Sequence, residues 1–434
     1  MHGGNGHAAD AEENARFLAA ERDPAPAYAT PPIIWQGPWK IVADLLNLHD
    51  WRVWIGVTAA LSALASRNIW VNYYGPLYGM GAYLLVAPSG TGKSIVTKVC
   101  ERLLPASFRW FDSIESGQAL LENIADIERD KDGKITRCVA VPALLLSSEW
   151  TQTLKAVDYS GSTLMERVHK CVDGESVVNL NRADKRGHGA MRIERPTLSV
   201  CATTTAESYA QVIKDKHISS GFLNRHLVMP TEDVPWVYDD PRQALDFDAV
   251  SQYAAELRPG HTFGLGRPIR DCYTQEAFDY DLSFGQTFLE PLRAPDAPPH
   301  TRDVCGRLHQ YHRRLSMLYA WAMHSDFITS DHVHAAEAAV RTSHHFLTEM
   351  HANTPVDMPV YMKARSDIEE KILARVTQEP DVPPQTVCQS LRRNGGYQLI
   401  SQLIEGLVAS GALLKTGDSK GGPGRKTTLR VNSH

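Results

Sequence analysis

The rhythm of apolar and polar positions changes several times along the chain. Trp35, Trp39, Leu45, Leu46, Trp51, Trp54, Ile55 and Leu61 recur at helical spacing, which predicts a small helical segment over residues 35–70. Short, mostly apolar runs follow at 83–86, 108–111, 138–147, 177–180, 197–202 and 226–229, with helical stretches such as 95–104 between several of them. Runs of that length suit strands buried on both faces, and their alternation with helices predicts an α/β sandwich around a largely parallel sheet. Beyond Val234 the period becomes helical over 246–258, 274–293, 302–324 and 330–351, broken by a Pro-rich loop at 294–300.

The ends of the chain read differently. The first thirty or so residues are rich in Gly, Ala, Glu and Pro and carry too little apolar surface to offset the entropy of ordering. A tail without fixed structure is expected over 1–34. Residues 352–365 read as a linker, and 366–434 as a small separate domain. There, 368–376 predicts one helix, and Pro384 opens a second at its first turn, where proline is tolerated. Asn394, Gly395 and Gly396 form a tight turn before a third helix over 397–410, ended by Gly411. Two short strands at 412–414 and 427–431 then flank a tip rich in Gly, Lys and Arg, so the segment is expected to be a winged helix-turn-helix. The division expected is tail 1–34, sheet domain 35–235, helical lid 236–351, linker 352–365 and winged helix 366–434.

Between the strand at 83–86 and the helix from Ile95 runs Ala87-Pro88-Ser89-Gly90-Thr91-Gly92-Lys93-Ser94. Strand, glycine-rich turn and helix make a phosphate cradle, because the turn's amides and the helix's positive end converge on one spot. Pro88, Ser89, Gly90, Thr91, Gly92, Lys93, Ser94 and Ile95 are the expected nucleotide contacts. The two glycines let backbone approach phosphate, Lys93 supplies a point charge for the β- and γ-phosphates, and Ser94 is the expected magnesium ligand. The usual first glycine is Ala87 here. ATP and Mg2+ are therefore the expected ligands. Hydrolysis also needs a carboxylate beside the cradle to orient water, and Glu149, after the apolar run at 144–146, is the candidate. The residue before it is Ser148, where an aspartate is usual, and Ser148 is expected to reach magnesium through water. The strand over 198–202 ends in Thr203, Thr204 and Thr205, of which Thr204 is the expected polar group beside the γ-phosphate. Arg225, in Gly221-Phe222-Leu223-Asn224-Arg225, fits by type and chain order an arginine that ring ATPases extend to a neighbouring subunit.

This order of phosphate loop, Glu149, polar strand end and Gly-Phe-Leu-Asn-Arg resembles AAA+ and superfamily 3 helicase-type ATPases. It is most similar to helicase-like or primase-helicase proteins of phages, plasmids and integrated elements. Arg313-Arg314-Leu315, Leu318-Tyr319-Ala320 and the stretch from Ile328 to Ala336 resemble that family's helical lid. The resemblance spans roughly residues 40–350. It implies an α/β fold with a P-loop NTPase (AAA+/RecA-like) core, a homo-oligomer in a hexameric ring, and a lid arginine on the nucleotide in cis or in trans, either Arg302 or Arg314. It also implies a pore hairpin, for which Arg182, Lys185, Arg186, His188 and Arg192 are candidates toward single-stranded DNA. No primase motif is present. In the C-terminal segment, Tyr397 and Gln398 are expected to face duplex DNA, with Arg392, Arg393, Lys420, Arg425 and Lys426 on phosphates.

Composition narrows these expectations. The formal net charge is -5, so any nucleic-acid surface is a local patch. Seven scattered cysteines, with no Cys-x-x-Cys pair, argue against a zinc knuckle or a disulfide framework. No stretch approaches the ~20 apolar residues of a membrane helix, and no signal peptide opens the chain, so a cytoplasmic protein with no membrane contact is expected. The leading expectation is an ATP-dependent DNA helicase or translocase of a mobile genetic element. Two others stay open: a non-translocating ATPase switch, such as a helicase loader or a matchmaker in transposition or defence, and an ATP-controlled, sequence-specific DNA-binding regulator.

Overall fold

A computed structural model describes residues 28–132, 135–151, 153, 164–179, 191–212, 221, 223–231, 245–257, 261–294, 297, 299–353, 370–391, 400–401, 403–404, 407–408, 412–416 and 428–431. It divides into two compact units, Met1–Met350 and His351–His434.

The first unit is built on a five-stranded sheet of β1 (Ala82–Val86), β2 (Arg109–Phe111), β3 (Pro142–Ser147), β4 (Thr197–Thr204) and β5 (His226–Pro230). Their order is β5-β1-β4-β3-β2, and every pairing is parallel. Strands β1, β4 and β5 are buried along their whole length, in keeping with their mostly apolar runs. Register sets Val86 beside Thr204 and Pro230, and Ala202 beside Ser147. The carboxyl ends of β1, β4 and β3 thus lie along one edge.

Four helices place the residues of interest: α1 (Trp51–Ala65), α2 (Ser94–Leu103), α3 (Leu164–Val172) and α4 (Leu308–Ala322). Asp50 caps α1 by accepting from the Arg52 and Val53 amides. Apart from Arg52 and Leu64, every residue of α1 is buried, so it is a core helix and not an amphipathic surface one. Gly56 lets it approach α2 closely, since a Cβ there would meet Val99 at 2.8 Å. The helices expected as a lid share the sheet's hydrophobic core: Leu315, Leu318, Val333 and Val340 belong to the same cluster as Leu84 and Val200.

Two sequence expectations change. The apolar run at 138–147 was expected to be one strand but is two. Ile135–Ala140 pairs antiparallel with Ala125–Arg129, while Pro142–Ser147 enters the parallel sheet. Pro142 lacks an N–H and begins a strand, a position where proline is tolerated. The N-terminal tail is also shorter than 34 residues. Ile34 is fully buried and the Trp51 Nε1–H donates to the Tyr28 carbonyl at 2.8 Å, so 28–34 are anchored by aromatic contacts that a composition reading undervalues.

The second unit has a core of Ile372, Val376, Val382, Val387, Cys388, Ile400, Leu403, Ile404, Leu413 and Leu429. The helix Pro384–Ser390 does carry proline in its first turn. Leu413–Thr416 and Thr428–Val431 form an antiparallel hairpin. No helix among the described residues is long and apolar enough to cross a membrane.

Candidate functional site

The glycine-rich turn leaves the carboxyl end of β1 and runs into α2. Gly90 and Gly92 have φ of 82° and 75°, a left-handed backbone that favours glycine. A Cβ on Gly90 would meet nothing within 4 Å, so the turn opens onto space on that side. Ser94 is the first residue of α2, and no side chain caps that helix start. The Thr91 hydroxyl donates to the Pro88 carbonyl at 2.8 Å, closing the turn. Lys93 Nζ lies 3.3 Å from the same carbonyl, over the turn. Arg52 Nη1 donates to the Thr91 carbonyl, while its Nε donates to Asp50 at 2.8 Å, so the cap of α1 also steadies the turn.

Neighbouring strand ends are tied to the turn. The Ala87 amide donates to the Thr204 carbonyl at 3.0 Å. The buried Thr203 hydroxyl donates to the Ser148 carbonyl at 2.8 Å, which links β4 to the segment after β3. Ser148 and Glu149 are exposed at this edge. Lys93, Thr203, Thr204, Ser148 and Glu149 therefore gather along one edge from the ends of three adjacent strands. Beside them lies a cavity of about 230 Å3 lined by Tyr28, Ala29, Thr30, His49, Asp50, Trp51, Arg52 and Thr231. Thr231 follows β5, and its amide donates to the Val86 carbonyl at 3.2 Å. None of these lining residues stood out as chemistry in the sequence. They come from three separate segments, so no local pattern joins them.

Arg225 sits elsewhere. It ends a short 3-10 turn just before β5, and the first β5 residue, His226, pairs with the first β1 residue, Ala82. This is the amino edge of the sheet. The Tyr311 hydroxyl anchors α4 to this edge by donating to the Ala82 carbonyl at 2.7 Å. The same oxygen accepts from the Ala82 amide and also contacts the Arg225 carbonyl. That docking brings Arg307, just before α4, and Arg314, within it, to Asp173, which follows α3. Arg307 Nη1 and Arg225 Nε approach one Asp173 oxygen at 2.8 and 3.1 Å, and Arg314 Nη2 approaches the other at 3.2 Å. Helix α3 ends so that Asp173 is fixed: Gly174 has φ of 71° and the Glu175 amide donates to the Lys170 carbonyl at 2.7 Å.

Burial pushes the Asp173 carboxyl up, but Arg314, Arg307 and Arg225 outweigh it and hold it down at about 2. Burial, aided by Arg225, pushes the His169 imidazole down to about 2, so it stays neutral. Arg314 was expected to contact nucleotide in cis or in trans; it lies at the amino edge, across the sheet from the chain's own turn. The five residues of β1 separate the two edges by ~13 Å. Arg302, the alternative, lies in the helix Pro299–Cys305 and has no ion pair among the described residues. Asp173 and Arg307 were not anticipated, because nothing in their local sequence marks them.

For the nucleic-acid candidates, Val177–Asn179 pairs antiparallel with Met191–Ile193, which flank residues 180–190. Arg192 is exposed and paired with Glu194 at 3.2 Å. Arg182, Lys185, Arg186 and His188 lie outside the described residues, as do Arg392, Arg393, Tyr397, Gln398, Lys420, Arg425 and Lys426. Arg430, near that second patch, is bound to Asp381, its Nε at 2.7 Å.

Among the described residues no cluster of His, Cys, Asp and Glu could hold a metal ion. The seven cysteines are free. No protein-family model matches the chain, and no curated protein matches it.

Proposed function

We propose that this chain is an ATPase that acts on DNA, most simply as a ring-forming helicase or translocase. The observation that carries the reading is the turn at 89–94. Two left-handed glycines and an open helix start face the same edge as Thr203, Thr204 and Glu149. Such a turn suits triphosphate, because amides and a helix dipole meet the anion without a side chain between. The neighbouring cavity suits a nucleoside, with Tyr28 and Trp51 as aromatic walls.

In this reading Lys93 swings from the Pro88 carbonyl onto the phosphates. Ser94 and, through water, Ser148 would hold magnesium, which neutralises phosphate charge when bound. Glu149 is exposed and free to orient the attacking water. Thr204 flanks the γ-phosphate position. Arg225 cannot serve its own turn across the sheet, so its role requires a second copy. The winged-helix reading of 366–434 supports a DNA contact, and the base of a hairpin before β4 supports a second one. Ser148 also supports the switch reading, since no carboxylate stands there to bind magnesium firmly.

The test is ATP turnover with magnesium, with and without forked DNA, by wild type and Lys93→Ala. The expected result is DNA-stimulated turnover that the variant loses, with strand displacement marking a motor. Turnover or filament assembly without displacement favours the switch, and strong footprints by residues 366–434 favour the regulator. Absence of ATP affinity in the wild type removes the reading altogether.

A further inference from the structure

Three guanidiniums share a single carboxylate at the amino edge, and the charges do not balance. Arg225, Arg307 and Arg314 all bond to Asp173. Glu175 is felt by Arg225 but makes no bond to the cluster, and His169 is neutral. Among the described residues, three positive charges therefore face Asp173 and, more weakly, Glu175. The side chains are 18%, 25% and 6% exposed for the three arginines and 12% for Asp173, so water screens them poorly. The donors are also in surplus. A guanidinium carries five N–H donors in a planar fork. Here the forks reach Asp173 three times and the Gly221 carbonyl once, the last from Arg225 Nη1 at 2.9 Å. Arg314 Nε is buried with no partner among the described residues.

We propose that this cluster is a phosphate-binding site, separate from the glycine-rich turn, in which Arg225, Arg307 and Arg314 grip the anion and Asp173 holds the three forks in place. A phosphate anion matches the positive surplus and takes planar forks two oxygens at a time. The site draws on three chain segments and its side chains are largely buried, which suits one tetrahedral group and not a nucleic-acid backbone running through a groove. The chain's own turn lies on the other side of the sheet. The phosphate therefore comes from solution or, resting on the role proposed above for Arg225, from a nucleotide carried by a second copy.

The test uses full-length protein carrying Lys93→Ala, so that the turn does not contribute. Its melting temperature is followed against inorganic phosphate, with chloride holding ionic strength constant. A saturable rise is expected. Adding Arg307→Gln, at the most exposed of the three arginines, should abolish the rise. Arg307→Lys, which keeps the charge and loses the fork, should leave a weaker one and serves if the glutamine variant does not fold. A rise that never saturates, or that persists unchanged in both variants, overturns the proposal. Displacement of phosphate by single-stranded DNA at equal salt also overturns it, because the site would then be a nucleic-acid contact. A second arm separates the sources: light scattering of protein with intact Lys93, with ATP and magnesium. Association that Arg307→Gln abolishes assigns the phosphate to a neighbour's nucleotide; a saturating rise without association assigns it to free phosphate.

Discussion

The carboxyl and amino edges of the parallel sheet are built differently. At the carboxyl edge the turn at 89–94 is open, its helix start uncapped, and Ser148 and Glu149 stand in solvent. Its fixed features are backbone ones: two left-handed glycines and the Ala87–Thr204 and Thr203–Ser148 bonds. At the amino edge the fixed features are charged side chains, with Asp173 binding three arginines under Tyr311. An edge whose groups stay exposed can change partners at little cost to the fold. An edge that buries charge ties its partners into the fold.

Removing Asp173 is the strongest way to test that contrast. Asp173→Ala should destabilise the protein by about 3–5 kcal/mol, because three buried cations lose their counter-charge. Denaturant melts check it. A loss under about 1 kcal/mol would mean the amino edge is as loosely held as the other.

Acid should act on the same edge. The Asp173 carboxyl lies at about 2 in the folded protein, below its ordinary 3.8. Its contribution is therefore complete above pH ~4 and is lost as pH falls through ~2, a difference of about 2 kcal/mol. Glu337 is also held at about 2, where bonds to His334, Tyr280 and Arg341 overcome burial, so it titrates in the same window. The difference between wild type and Asp173→Asn isolates Asp173. Parallel pH curves for the two proteins would count against this account.

Effects at the carboxyl edge should be smaller. Thr203→Val loses one hydrogen bond to Ser148 and should cost ~1 kcal/mol by thermal or chemical melting. Lys93→Ala should change stability by less than about 0.5 kcal/mol. The same variant should weaken ATP binding on the order of a hundredfold by calorimetry, as expected when one partner of a charge pair is lost. A large stability loss with ATP binding intact would reverse the contrast between the edges.

Much of the carboxyl edge was legible in the chain. The apolar runs marked β1, β4 and β5 because a strand buried on both faces is mostly apolar and lacks a regular polar alternation. Gly90 and Gly92 marked the turn because left-handed backbone selects glycine. Residues 138–147 misled, since an apolar run does not reveal that Pro142 starts a new strand with new partners. Residues 28–34 misled in the other direction: few large apolar groups suffice when Tyr28 and Ile34 meet a ready core. Arg314 was singled out but its partner Asp173 was not, because chain order does not say which end of a helix meets which end of a sheet.

By itself, the sequence determined what is local: strand, turn and helix at 82–103, the helix start at Pro384, and the sheet's burial. These depend on backbone preference and on apolar periodicity, both carried by near neighbours in the chain. Only the tertiary structure decided the meeting of Asp173 with Arg225, Arg307 and Arg314, which lie 52, 134 and 141 positions away. A buried charge acquires its partner when distant segments close around it, and that closure leaves no trace in the residues beside it.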